Sequence, residues 1–124
     1  MPVEFDIWDG IIALEMIGTY EATDIQTALL EALDDPRSAG AIGLLFNVSR
    51  SESLKERSAP DVAAMGYFLA GHSDRFGRRM AMVGHDDFKF GMMRAGSAVL
   101  NQQGVTSEVF RDEEAARKWL HRGQ

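Results

Sequence analysis

Three short strand-like runs, at residues 41–46, 80–83 and 105–110, the first two of them apolar, are each followed by a stretch of helical spacing, and this alternation constrains the fold more than any other feature. A short continuous apolar run reads as a strand covered on both faces. Neighbouring parallel strands need a crossover between them, usually a helix. The three runs therefore predict parallel strands joined by helices packed against the sheet.

The chain opens differently. Residues 3–8, VEFDIW, alternate with period two, as a half-buried strand should. Asp9-Gly10 is a turn signal, and residues 11–17, IIALEMI, read as the returning strand of a hairpin. Thr23 and Gln26 have the spacing of a capping box for a first helix. Ile25, Ala28, Leu29, Ala32 and Leu33 form its apolar stripe, and Pro36 stops it.

Ser58-Ala59-Pro60-Asp61 is a cap with proline in the first turn of a second helix, running to about Ser73, with Val62, Met65, Phe68 and Leu69 inward. Asp86 or Asp87 caps a third, in which Phe88, Met92, Ala95 and Val99 share a face. Asp112 caps the last. Its Glu113 and Glu114 suit the positive end of the helix dipole, and Arg117, Lys118, His121 and Arg122 suit the other. The expected fold class is α/β, a mixed and largely parallel five-stranded sheet with four helices in the order β-β-α-β-α-β-α-β-α. It forms a single domain over residues 1–124.

Composition removes several functions. The net charge of −6 lacks the basic face that nucleic-acid binding needs. No apolar run approaches the roughly 18 residues of a membrane span, and no basic-then-apolar leader is visible, so the cytoplasm is the expected location. Without cysteine there are no disulfides, thiolate metal sites or thiol nucleophiles. His72, His85 and His121 have no metal-ligand spacing. His85-Asp86-Asp87 follows a strand, where α/β proteins often bind ligands. It lacks a recognisable nucleophile and reads as a capped turn, so no catalytic residue, metal or cofactor is expected.

Three blocks carry a family resemblance: DGIIALEMIGTYEATDI at the start, MAMVGHDDFKFGMMR after the middle, and VFRDEEAARKWL near the end. In their order and spacing they resemble the SpoIIAA-like branch of the STAS domains, the group related to anti-sigma factor antagonists. The resemblance implies a small, non-catalytic regulatory or protein-docking domain. It also implies likeness to CRAL-TRIO lipid-binding domains, and hence a small apolar, lipid-like ligand. Some of the family are switched by phosphorylation at an Asp-Ser-Ser-Gly-type motif before the second helix. The chain departs from that motif, with Arg57-Ser58-Ala59-Pro60-Asp61 in its place.

Two candidate sites follow. In the stretch SRSESLKERS, Ser49, Ser51 and Ser58 have Arg50, Lys55 and Arg57 nearby, as a phosphoserine would need. Capping and turn chemistry account for the same hydroxyls, leaving the stretch as a mobile or partner-facing loop. The second candidate rests on glycines that break the helix rule: Gly66, Gly71, Gly91 and Gly96 fall in the second and third helices, each costing roughly 1 kcal/mol against alanine. Close helix packing, a helix cap at Gly71, or space for a ligand would explain them. Adaptable methionines cluster in the same region. The expected ligand-binding set is Met65, Phe68, Leu69, Met82, Phe88, Met92 and Met93, with ordinary core packing as the competing explanation. The alternative function is a protein-interaction regulator acting as a homo-oligomer, a homodimer included.

Overall fold

The computed structural model describes residues 2–123; Met1 and Gln124, the two ends of the expected 1–124 domain, lie outside the described residues. The hairpin strands are β1 (Val3–Trp8) and β2 (Ile11–Gly18), paired antiparallel with Trp8 opposite Ile11. Asp9 and Gly10 both have positive φ, 57° and 78°, which is the backbone a two-residue hairpin turn requires. Three parallel strands complete the sheet in the order β1-β2-β3-β4-β5: β3 (Gly43–Ser51), β4 (Arg79–Val83) and β5 (Thr106–Phe110). The crossovers are α1 (Ala22–Asp34), α2 (Ala59–Gly71) and α3 (Asp87–Gln102), and α4 (Glu113–Arg122) ends the fold. The expected fold class and element order are therefore found.

Period-two alternation divides the sheet into two faces. Ile12, Leu14 and Met16 of β2, Leu44, Phe46 and Val48 of β3, and Met80 and Met82 of β4 face α1, α2 and α3 in one large core. Ile11, Leu45, Ala81 and Val83 face α4 through Ala116 and Leu120. The inward stripe expected for α1 is the one observed.

Several local expectations need correction. The capping box of α1 lies earlier than Thr23 and Gln26: Glu21 N–H donates to Asp24 Oδ2 at 2.8 Å. Strand β3 runs to Ser51, so the first three residues of the expected loop are strand, and only residues 52–58 connect it to α2, through a 3-10 turn at Leu54–Glu56. Helix α2 ends at Gly71 rather than near Ser73, and a further 3-10 turn, Ser73–Phe76, follows.

The phase of α3 is also different. Its buried residues are Met93, Gly96, Ser97 and Leu100, not Phe88, Met92, Ala95 and Val99. The helix is apolar on two sides, and polar packing decides between them. Ser97 Oγ lies 2.6 Å from Ser107 Oγ on β5, and Ser107 Oγ donates to Asn101 Oδ1 at 2.9 Å. Buried hydroxyls need such partners, and this phase of the helix supplies them.

Candidate functional site

Helices α1 and α3 pack on the sheet, whereas the principal neighbour of α2 is α3. Helix α2 thus roofs a space bounded by α1, α3 and the strand centres. The space is a cavity of about 180 Å³, lined at its base by Phe46, Met80 and Met82 and on the α2 side by Val62, Met65, Gly66 and Leu69. Ile25, Met93, Gly96 and Leu100 close the sides. Four polar residues join this lining: Tyr20, Gln26, Arg57 and Asp61.

The polar residues differ in how far they are committed. Tyr20 Oη is 2.8 Å from Ser51 Oγ, a buried pair that fixes the ring. The Asp61 carboxylate belongs to the α2 cap: Ser58 N–H donates to its Oδ2 at 2.9 Å, and Ser58 Oγ accepts from Asp61 N–H at 3.3 Å. The backbone hydrogen bond from Ser58, with its side-chain bond second, holds the Asp61 carboxyl below the usual carboxylate range. Arg57 donates one N–H to the carbonyl of Tyr20 and places its guanidinium 5.5 Å from the centre of the Tyr20 ring.

Four of the seven expected ligand residues, Met65, Leu69, Met82 and Met93, line this cavity. The other three do not. Phe68 stacks edge-on against His72 with ring centroids 4.9 Å apart. Phe88 is 52% exposed, and Met92, one residue out of phase with Met93, is half-buried outside the cavity. The aromatic wall is instead Tyr20 and Phe46, and the cavity reaches α1 rather than lying between α2 and α3 alone. Pattern reading missed Tyr20, Gln26 and Arg57. Gln26 has the spacing of a capping residue, which hides its position in the lining from local pattern.

The glycines separate on the same geometry. A Cβ on Gly66 would lie 2.8 Å from Val99 Cγ1, so close approach of α2 and α3 explains it, and with Gly96 it lines the cavity. Gly71 and Gly91 have nothing within 4 Å and no steric requirement. Gly71 is the last residue of α2, whose cap is His72.

The serines do not form a cluster. Ser51 is 3% exposed and hydrogen-bonded to Tyr20, Ser49 is half-buried within β3, and Ser58 alone of the three is exposed, as the α2 cap. Among the basic neighbours, Arg50 reaches Glu15 at 3.6 Å and Arg57 turns to the cavity. His85 is exposed beside Asp86, whose Oδ1 caps α3 by accepting from Lys89 N–H at 2.8 Å. Among the described residues no group of three His, Asp or Glu side chains could hold a metal ion, and no helix is long and apolar enough to cross a membrane.

The sequence model of the SpoIIAA-like family matches residues 11–121, and the chain belongs to that family. No curated protein and no solved structure gives a match. The match reaches from β2 through α4 and so includes every residue of the cavity lining. Membership supports a STAS-type regulatory domain, a class that generally lacks catalysis.

Proposed function

We propose that this chain works as one non-catalytic domain that binds a small apolar ligand beneath α2 and uses the bound state as a regulatory signal. The observation that carries the reading is the cavity itself, lined mainly by methionine and aliphatic side chains under a helix whose main support is another helix. Methionine linings adapt to varied shapes. A ligand that packs better under one position of α2 than another shifts the helix by its difference in affinity.

The volume sets the size of the ligand. An apolar cavity of about 150 Å³ accommodates benzene. At about 180 Å³ this one suits a single ring or a short branched chain rather than a long lipid tail, which narrows the expected lipid-like cargo. Native mass spectrometry of freshly purified protein, with a melting-temperature screen of ring-sized apolar probes, tests the reading. Bound small molecules or ring-dependent stabilisation support it. No adduct and no shift with any probe reject it.

The alternative reading, a protein-interaction regulator with a possible homodimer, is favoured by the outer face of α2. Asp61 is the only charged residue of this helix, at its start, and Tyr67 is 53% exposed. A helix apolar on all sides ordinarily has a neighbour on each. Tyr67, exposed on that face, is the residue to change to lysine. Dissociation of an oligomer by Tyr67→Lys in sedimentation supports this reading, and a monomer at all concentrations removes the homodimer.

A further inference from the structure

We infer that the ligand of this cavity is a small amphipathic acid, with its apolar body under α2 and its carboxylate on Arg57. The inference rests on the ligand-binding reading above and adds the chemical class. Of the polar residues in the lining, Tyr20 Oη and Asp61 are already engaged, by Ser51 and by the α2 cap. Arg57 is the cation of the lining, and among the described residues no carboxylate lies within 4 Å of it.

Arg57 is partly buried, and one of its five N–H groups is used, on the Tyr20 carbonyl. That bond and the Tyr20 ring hold the guanidinium in place. A positioned guanidinium with spare donors matches the two oxygens of a carboxylate and forms the strong, charge-assisted kind of hydrogen bond. Gln26 lines the cavity from α1, and its amide makes no hydrogen bond to the described residues, leaving a second donor in the lining. The apolar remainder of the lining gives such an acid its other half. Cavity size limits the body to roughly six to eight non-hydrogen atoms.

The test uses the full chain and matched probes: benzoate and hexanoate against benzyl alcohol and hexan-1-ol, followed by calorimetry and by the methyl signals of Met65, Met82 and Met93. The acids are expected to bind about tenfold more tightly than their neutral partners, the worth of one charge-assisted hydrogen bond. Arg57→Gln should collapse that ratio to within about twofold, and added salt should narrow it in the unaltered protein. If alcohols and acids bind equally, or if Arg57→Gln leaves the ratio intact, the carboxylate assignment is wrong while the cavity reading stands. If neither class binds nor moves the methionine methyls, both are wrong.

Discussion

Gly66 on α2 and Val99 on α3 stand so close that a methyl group on Gly66 would lie 2.8 Å from Cγ1 and 3.2 Å from Cβ of Val99. Valine is stiff about χ1 and cannot swing away. Alanine at Gly66 gains about 1 kcal/mol of helix propensity but meets an overpacking penalty of roughly 1–3 kcal/mol. Gly66→Ala should therefore lower stability by about 1 kcal/mol net, whereas the same change in a Val99→Ala background should be stabilising relative to that background. Denaturant unfolding of the four proteins of the cycle measures the reversal of sign.

Met65 lies at the cavity wall and is half-buried, so its size can change without opening the sheet. Met65→Trp should fill the space and abolish binding of ring-sized probes, while Met65→Ala should enlarge it and admit larger ones. At a probe concentration of one hundred times Kd, stabilisation of about 2.7 kcal/mol is expected where binding persists. Thermal melts with toluene and naphthalene distinguish the two variants.

The α2 cap gives a pH dependence with a defined sign. Asp61 is held below its ordinary value of 3.8, chiefly by the backbone hydrogen bond from Ser58. A carboxyl with a lowered folded-state value contributes stability that is present above the unfolded value and is lost as pH falls through the folded one. Fraying of the first turn of α2 should begin below the ordinary value and continue downward. Amide exchange of Val62 and Ala63 reports it, and Asp61→Asn should flatten the profile.

The Ser97–Ser107–Asn101 network anchors α3 to β5. Asn101 Oδ1 also accepts from Ser107 N–H at 3.1 Å, so Asn101→Leu leaves a buried hydroxyl and an amide without that partner, at an expected loss of about 1–3 kcal/mol. Replacing both serines by alanine removes the hydroxyls together and should be milder. Equilibrium unfolding of the two variants gives the order.

On the opposite face, Arg79 lies 4.0 Å from the centre of the Trp119 ring and donates to the Trp119 carbonyl at 2.9 Å. Arg79→Met should loosen the end of α4 and lower stability by about 1–2 kcal/mol. In a Trp8→Phe background, which removes the 55% exposed indole, a red shift of Trp119 emission reports the change.

Element types were legible because period two and period 3.6 are local properties of the chain. Ile25, Ala28, Leu29, Ala32 and Leu33 could bury only one stripe of α1, and the apolar runs of β3 and β4 needed cover on both sides. Where a helix offered two apolar sides, local pattern was silent. The face of α3 that turns inward carries Met93 and Leu100 into the core and Ser97 onto Ser107 of β5, so Met93 rather than Met92 is a cavity residue.

The family and the order β-β-α-β-α-β-α-β-α were determined by the sequence alone, since turn chemistry, caps and periodicity act between near neighbours. The SRSESLKERS stretch shows what it left open. Its residues read as a mobile or partner-facing loop, with Ser58 as the helix cap that the structure also has. Tertiary structure drew Ser51 into β3 against Tyr20 and turned Arg57 into a cavity formed with α1. Those partners lie 31 and 37 residues away in the chain, and contacts at such separation exist only once the sheet has brought them together.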